Sequence, residues 1–276
     1  MTKQSGADSF EQKVKRSVTG NFDRSGQQYQ AFEDKYRFFY TLALKLAENI
    51  DLQPESSVLD AGCGSGISAR ALHDRFGCRV LGVDLSEKMV AAGRFLCPEP
   101  EIRLVVGDAE RLVELAGGQR FDYVLYNASI FIFPDADRSF EEAAACLKPG
   151  GKIAFSFYPD LTGPEGEDLM QKAFSRLGEP VPRYKVITGY EQASQALARH
   201  CGDISHRQWV RPLDLGFLKD FYAIPAQSAS LFPGENYAAR LQKTAALLDT
   251  LSDMTATGRV VWRMASGIKA PKRHVP

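Results

Sequence analysis

The sequence has no long apolar run, no excess of charge of either sign and no closely spaced cysteine pair. No stretch approaches the roughly 18 consecutive apolar residues of a membrane span, and the N-terminus lacks the apolar core of a signal peptide. The 34 Lys and Arg residues are balanced by 34 Asp and Glu residues, so no electrostatic footprint for nucleic acid is present. We therefore expect a cytoplasmic protein with no membrane span and no nucleic-acid partner.

Cysteine and histidine are also sparse, which bears on disulfides and metals. The cysteines are odd in number and widely spaced, which argues against a disulfide framework or a structural zinc site. No two histidines have the spacing of metal ligands, so we expect no metal. Reduced, packed thiols and surface or packing histidines are the simplest interpretation of these residues: Cys63, Cys78, Cys97, Cys146 and Cys201, with His73, His200, His206 and His274.

The most informative stretch is VLDAGCGSG at residues 58–66. An apolar run ends in Asp60, and glycines follow at alternate positions as Gly62, Gly64 and Gly66. A second apolar run, 79–83, ends in Asp84. Glycines allow a ligand to approach the backbone closely, and an acid at the end of the second strand can bind ribose hydroxyls. This pattern predicts a site for an adenosine-type cofactor.

Predicted strands and helices alternate around this stretch. Apolar runs predict strands at 57–60, 79–84, 102–106, 121–126 and 152–158, and helical patterns lie at 65–76, 86–95 and 138–147. Such alternation implies a parallel sheet covered by helices on both faces. We predict an α/β fold with a doubly wound, mostly parallel, seven-stranded, Rossmann-like sheet.

Helical segments flank this sheet. Apolar residues three and four apart predict an aromatic-rich helix over 27–50, an N-terminal helical lid, after a polar and loose first stretch. Further on, 191–201 predicts a helix, 204–210 and 258–268 the last two strands, and 212–251 short helices. We expect three parts: a lid at 1–50, a cofactor-binding core at 51–211 and 257–270, and a helical substrate cap at 212–256, inserted before the last strand.

Two cofactor classes compete for the glycine turn. A dinucleotide fingerprint requires a small residue three positions after its second glycine, where this chain has the branched Ile67. A carboxylate before the first glycine, Asp60, is unfavourable beside a pyrophosphate but favourable beside an ammonium group. S-Adenosylmethionine carries an ammonium group and no phosphate, so the pattern favours it over a nicotinamide or flavin dinucleotide.

At this point the chain resembles the class I S-adenosylmethionine-dependent methyltransferases. The resemblance extends from 56 to 158 and depends on five motifs in the order and spacing of that family. It is specific because the motifs occur as an ordered set. They are VLDAGCGSG at 58–66, VDLSEKM at 83–89, GDA at 107–109, FDYV at 121–124 and LKPGGK at 147–152.

The resemblance implies a role for each matched residue. The turn that includes Asp60, Ala61, Gly62 and Gly64 would hold the methionine part of S-adenosylmethionine, with Asn127 beneath it. Asp84 would bind both ribose hydroxyls. Leu85 and Met89 would pack on the adenine, and Asp108 would accept a hydrogen bond from its amino group beside the Ala109 backbone.

A second resemblance lies near the N-terminus. The segment NFDRSGQQY at 21–29 is similar to one in quinone-ring and malonyl-carrier-protein methyltransferases, although its middle departs from their alanine-rich form. There the segment closes over the cofactor and its tyrosine meets the methionine carboxylate, which here would be the role of Tyr29. Ordinary helix packing of Tyr29 is the alternative.

The acceptor is less well defined. Methyl transfer requires positioning and desolvation, and the sequence shows no general base. Residues 127–131, NASIF, depart from the signature of methyltransferases that act on amino groups of nucleic acid and protein. We expect a small, fairly apolar acceptor, methylated at oxygen or carbon rather than sulfur or nitrogen. Core packing is the alternative role for each candidate pocket residue: Tyr36, Phe39, Ile130, Tyr158 and Tyr222, with Phe131, Phe133, Phe221 and Phe232.

Other functions remain open at this stage. A carrier-bound acyl group would require a basic docking patch, for which Lys13, Lys15 and Arg16 are candidates, although they are more simply a solvated face. A nicotinamide-dependent oxidoreductase is disfavoured by Asp60 and Ile67. A non-catalytic partner that retains the fold is disfavoured by the complete motif set. The cap could also form a dimer surface, so we expect a monomer or a homodimer.

Overall fold

The computed structural model describes residues 9–182 and 186–269. Within these ranges the chain forms one mixed sheet with helices on both of its faces. No helix in this described part is long and apolar enough to cross a membrane. The strands are β1 (Ser57–Ala61), β2 (Arg79–Asp84), β3 (Ile102–Val106), β4 (Phe121–Tyr126), β5 (Leu147–Ser156), β6 (Asp160–Thr162), β7 (Cys201–Pro212) and β8 (Arg259–Lys269).

Helices precede, connect and follow these strands. Two single 3₁₀ turns, Ile130–Ile132 and Ser252–Met254, complete the regular structure of the described ranges. The helices are α1 (Phe10–Phe22), α2 (Gly26–Tyr36), α3 (Phe38–Asn49), α4 (Ile67–Phe76), α5 (Glu87–Leu96), α6 (Leu112–Ala116), α7 (Ala136–Cys146), α8 (Leu169–Leu177), α9 (Tyr190–His200), α10 (Leu215–Ala223), α11 (Pro225–Ser228) and α12 (Tyr237–Asp249).

The sheet confirms the predicted doubly wound α/β architecture. Its order is β3-β2-β1-β4-β5-β8, with β1 to β5 parallel, β8 antiparallel to β5, and β7 on the other side of β8. The additional strand β6 pairs with the same edge of β8 as β5 does. Because Phe157 N between them donates to Arg263 O at 2.9 Å, β6 continues β5, and the sheet remains seven strands wide.

Successive side chains along each strand point to opposite faces of the sheet, so the core lies on both faces. In β1, Leu59 belongs to one buried cluster and Val58 to another, and in β4 Val124 and Leu125 divide in the same way. Parallel strands that are buried on both faces are expected to be apolar throughout. The carboxyl ends of these strands are therefore the positions where polar side chains can gather without disturbing the core.

The N-terminal region differs from the prediction in two ways. The stretch expected to be loose forms α1, because the Ser9 hydroxyl accepts from Gln12 N and the Gln12 side chain accepts from Ser9 N. The single helix expected over 27–50 is two helices, α2 and α3, divided at Arg37, whose φ of 45° is left-handed. The helix α8 and the start of β7 at Cys201 were also not predicted.

Glu33 explains the break between α2 and α3. Its carboxylate, 8% exposed, accepts hydrogen bonds from Phe39 N at 2.9 Å and Tyr40 N at 3.0 Å. These are two of the N–H groups that the first turn of α3 leaves without a helical partner. A side chain from the preceding helix therefore caps α3 and fixes the angle between the two helices.

We predict that Glu33→Ala lowers the free energy of unfolding by about 1–3 kcal/mol, because two buried N–H groups lose their acceptor. Urea denaturation at neutral pH measures the change. Glu48→Ala on α3 is the matched control, since that side chain is exposed and contacts only Lys45 in a surface pair. Equal stability of the two variants would contradict the capping role.

Candidate functional site

A deep cavity opens where the carboxyl ends of β1, β2 and β4 meet. It holds about 920 Å³ of empty space, including its mouth. This size is in the range of small-ligand and cofactor sites. The glycine turn forms its floor, and residues of α1 and α2 cover it. Its lining residues include Lys15, Phe22, Tyr29, Phe39, Gly62, Gly64, Asp84, Leu85, Met89, Asp108, Ala109, Asn127, Ser129 and Phe133.

The turn after β1 depends on glycine for both backbone conformation and space. Gly62, Gly64 and Gly66 all have positive φ angles, of 78°, 55° and 78°. A Cβ atom on Gly62 would lie 2.6 Å from the Cβ of Ser129, closer than atoms can pack. Only glycine meets both requirements at this position. The turn therefore presents backbone, rather than side chains, to the cavity.

Asp84 connects the end of β2 to the glycine turn. Its Oδ2 accepts from Gly64 N at 2.8 Å, and its Oδ1 accepts from Ser86 N at 2.8 Å. Burial raises the pKa of Asp84, and the two N–H groups oppose that rise. Each oxygen retains a lone pair, and the side chain lines the cavity. Asp84 can therefore accept two further hydrogen bonds from a ligand.

Asp60 has no hydrogen-bond partner. The residue is fully buried, and neither carboxylate oxygen accepts a hydrogen bond from any described residue. Burial, and to a smaller extent the negative charge of Asp84, raise the pKa of Asp60 to about 7. A buried carboxylate without a partner is costly, and a cation next to it removes the cost. Asp60 lies behind the residues that line the cavity, so its charge favours an ammonium group in the cavity without touching it in this structure.

Asp108 pairs with a residue of α1. Lys15 Nζ donates to Asp108 Oδ2 at 2.7 Å, and it also contacts Glu110 and Glu11. The Lys15 side chain is only 18% exposed. The expectation that Lys15 belongs to a solvated face was therefore wrong, because α1 folds over the cavity and carries Lys15 to the end of β3.

Tyr29 is buried between the N-terminal helices and the segment before β8. Its hydroxyl accepts from Gln227 Nε2 at 2.6 Å, and its ring stacks on Phe22 with centroids 5.9 Å apart. Burial raises its pKa, so Tyr29 is a neutral phenol at physiological pH. Nearby, Ala226 N donates to Ser25 Oγ at 3.0 Å. Tyr29 thus lies in the cavity wall and also joins α2 to α11.

Asn127 lines the cavity, but its side-chain amide already forms hydrogen bonds with other protein groups. Its Nδ2 donates to Phe39 O at 3.0 Å and to Ser68 Oγ at 2.9 Å, and its Oδ1 accepts from Ser156 Oγ at 2.9 Å. The side chain connects α3, α4 and β5. In this arrangement Asn127 supports the base of the cavity, and one lone pair of Oδ1 is its remaining capacity for a ligand.

The other predicted residues are spread over several places. Leu85, Met89 and Ala109 line the cavity, whereas Ala61 lies behind it with its carbonyl accepting from Ser129 Oγ at 2.7 Å. Among the proposed acceptor-site residues, Phe39 and Phe133 line this cavity. Tyr158 and Tyr222 line a second cavity. Tyr36, whose hydroxyl donates to Asp220, and the fully buried Ile130 line neither.

Sequence reasoning missed several lining residues. Lys15, Phe22 and Ser129 were not assigned to the cofactor site, although all three line the cavity. The Ser9–Gln12 capping box was the available signal for α1, because it marks a helix start before Phe10. Nothing local in the sequence indicates that Lys15 reaches Asp108, 93 residues further along the chain.

The histidines and cysteines lie outside the cavity, except for Cys63 in the glycine turn. His73 contacts Cys78 O, His200 contacts Asp137 and His206 contacts Tyr190; His274 falls outside the described residues. All five cysteines are buried and unpaired. In the described ranges, no group of three or more His, Cys, Asp or Glu residues could hold a metal ion.

The comparisons with known proteins consistently find methyltransferases. Residues 59–155 match the family described as "Methyltransferase domain". The chain is 37% identical over 109 residues to phosphoethanolamine N-methyltransferase 2 of Caenorhabditis elegans. That match covers 39% of this chain and 25% of the relative. It is 32% identical over 99 residues to ubiquinone biosynthesis O-methyltransferase of Coxiella burnetii. That match covers 36% of this chain and 42% of the relative. The chain therefore spans well under half the length of these two relatives.

A longer but weaker match, and solved structures, agree with these relatives. Malonyl-[acyl-carrier protein] O-methyltransferase of Priestia megaterium is 26% identical, over 59% of each chain. A sarcosine dimethylglycine methyltransferase from Galdieria sulphuraria superposes with a TM-score of 0.55 at 18% identity, over 85% of this chain and 86% of that one. At that identity, a likeness shows the fold alone.

The order of strands, the glycine turn between Asp60 and Asp84, and the match over 59–155 agree with one another. The first two concern the folded chain and the third its sequence. Residues 59–155 thus form a methyltransferase domain of the class I S-adenosylmethionine-dependent type.

Proposed function

We propose that this protein transfers a methyl group from S-adenosylmethionine to an oxygen or carbon atom of a small, fairly apolar organic acceptor. The observation that carries this proposal is Asp60, a fully buried carboxylate without a partner. It lies beside a second buried carboxylate, Asp84, whose oxygens retain acceptor capacity. A ribose in the cavity would bind Asp84 directly, and an ammonium group there would be favoured by the charge of Asp60.

The remaining lining residues fit the same ligand. Asp108 and Ala109 lie at the end of β3, where an adenine would meet them, and Leu85 and Met89 supply apolar surface. Lys15 now pairs with Asp108, so an adenine amino group would share that carboxylate with Lys15. The division into a lid at 1–50, a core at 51–211 and 257–270 and a cap at 212–256 is part of this proposal.

The chemistry requires little of the protein beyond placement. When bound, S-adenosylmethionine supplies a methyl carbon activated by its sulfonium, and an electron pair of the acceptor displaces the sulfur in line. Tyr29 is held protonated by burial and Lys15 by its carboxylate partners, with the pKa of each raised. These two residues are therefore poor bases at neutral pH. The contribution of the chain is to orient the two ligands and to exclude water from between them.

Other functions are less well supported. Lys15 is engaged within the protein, so the basic patch suggested for carrier-protein docking loses one of its three cations. The similarity to a malonyl-carrier-protein methyltransferase keeps carrier-bound acyl groups as the second candidate. A nicotinamide dinucleotide would place phosphates near the Asp60 carboxylate, which is unfavourable. A cytoplasmic location and a monomeric or homodimeric state remain predictions.

Calorimetry tests the cofactor directly. We expect S-adenosylmethionine and S-adenosylhomocysteine to bind and NAD to give no heat. Asp84→Asn should weaken S-adenosylhomocysteine binding about 100-fold, since two charge-assisted hydrogen bonds to the ribose are replaced by weaker ones. Asp122→Asn, at the opposite end of the sheet and paired with Lys148, is the control and should leave the affinity unchanged. Undiminished affinity in Asp84→Asn would disprove the assignment.

Asp60 gives a second prediction, about stability. A buried carboxyl with a pKa of about 7 binds a proton more readily in the folded than in the unfolded chain. Between pH 4 and 7 the folded state therefore holds more protons, and the free energy of unfolding falls as pH rises. Asp60→Asn should reduce this decline, to which other buried carboxyls such as Asp84 also contribute, and make the ligand-free protein more stable at pH 8, by an amount on the order of 2 kcal/mol. Thermal unfolding between pH 5 and 8 measures it.

The same carboxyl predicts pH-dependent binding. An ammonium group requires Asp60 to be charged, so the dissociation constant of S-adenosylhomocysteine should rise about tenfold per pH unit well below pH 7. Asp60→Asn should bind weakly with a flat profile over this range. A variant that is more stable and still binds as tightly as the unchanged protein would show that Asp60 has no role in the site.

A further inference from the structure

A second cavity lies on the other side of the β5 end from the cofactor site. It holds about 640 Å³ of empty space and is lined mainly by apolar and aromatic side chains. The polar groups that face it are few: two carboxylates, one guanidinium and three tyrosines. Its described lining residues include Phe157, Tyr158, Asp160, Leu161, Asp168, Met170, Tyr190, Tyr222, Leu231 and Arg263.

Two tyrosine hydroxyls in this cavity have no hydrogen-bond partner among the described residues. Tyr222 is fully buried and Tyr158 is 8% exposed. Burial raises the pKa of Tyr222 to about 12 and that of Tyr158 well above its usual range. The two hydroxyls are near enough to influence each other's ionisation, but neither makes a well-formed bond to the other. Both are neutral O–H donors that an additional group can satisfy.

The charged side chains of the cavity are already paired. Arg263 contacts Asp160 at 2.8 Å and Glu191 at 3.5 Å, and its guanidinium lies 4.1 Å from the Tyr190 ring centroid. Asp168 caps α8 by accepting from Met170 N at 2.8 Å. Among the described lining residues the cation and both carboxylates are engaged within the protein, so these residues offer no open counter-charge to a carboxylate or an amine. A neutral ligand group fits better.

The position of Tyr158 relates this cavity to the cofactor site. Tyr158 follows β5, and its ring packs against Phe131 with centroids 5.3 Å apart. Phe131 precedes Ile132 and Phe133, which line the first cavity. Tyr158 is also near enough to Tyr29, in the wall of the first cavity, for the two to interact electrostatically. Tyr158 therefore packs beside the wall of the first cavity, although the two cavities share no lining residue among those described.

We infer that the second cavity binds a neutral ring compound whose hydroxyl or carbonyl oxygen accepts hydrogen bonds from Tyr158 and Tyr222. The apolar and aromatic lining binds the ring, and the two phenols select compounds with an oxygen at its inner end.

The test uses 4-hydroxyacetophenone, a neutral ring compound with both kinds of oxygen, titrated calorimetrically into the full-length protein with and without S-adenosylhomocysteine. We expect Tyr158→Phe and Tyr222→Phe each to weaken its binding about tenfold and the double variant about 100-fold. Tyr123→Phe, whose hydroxyl contacts Asp51 O and Gln53 N outside both cavities, should bind as the unchanged protein does. Every variant should keep its affinity for S-adenosylhomocysteine, which shows that it is folded.

Several results would overturn the inference. These are equal affinity for 4-hydroxyacetophenone in the double variant, no binding by the unchanged protein, or tighter binding of benzoate or benzylamine than of the neutral phenol. A failure of the proposed function looks different. In that case S-adenosylhomocysteine would not bind, while tyrosine-dependent binding of 4-hydroxyacetophenone would still identify the second cavity as a ligand site.

Discussion

Two buried carboxylates at neighbouring strand ends are the constraint on which the rest of this structure depends. Asp60 and Asp84 end β1 and β2, which are adjacent and parallel, so the fold brings two like charges together away from water. Asp84 is compensated by Gly64 N and Ser86 N. Asp60 is not compensated at all. The local arrangement is therefore suited to a cationic ligand rather than to the stability of the free protein.

The fold was predictable because its signals are local and repeat along the chain. Strands such as β2 and β4 are short apolar runs that end in a carboxylate or at a turn, and their parallel order follows from the helices between them. The glycine turn was predictable because Gly62 has both a positive φ and a neighbour that leaves no room for a Cβ. These requirements limit the residue type strongly enough to be visible in the sequence.

The errors have a common physical origin in contacts between distant parts of the chain. The break at Arg37 depends on Glu33 capping the next helix, and an aromatic pattern that continues across the break conceals it. From the sequence alone Lys15 looks solvated. In the structure α1 packs over the end of β3, and Lys15 pairs with Asp108. Tyr158 and Tyr222 line one cavity, whereas Tyr36 and Ile130, which were grouped with them for their aromatic or apolar character, line neither cavity. Periodicity reports which face is buried, not what lies against it.

The hydrogen bonds between α2 and α11 have a consequence for turnover. Ser25 accepts from Ala226 N, Tyr29 accepts from Gln227, and Lys35 pairs with Asp220 at 2.7 Å, so the N-terminal helices and the segment before β8 are joined at three points. Either element can move away from the other only when these three contacts break. Under the proposed function, an opening motion that moves these two elements apart has to break all three contacts. The rate of that motion would set an upper limit on the number of catalytic cycles per second, whatever the speed of methyl transfer itself.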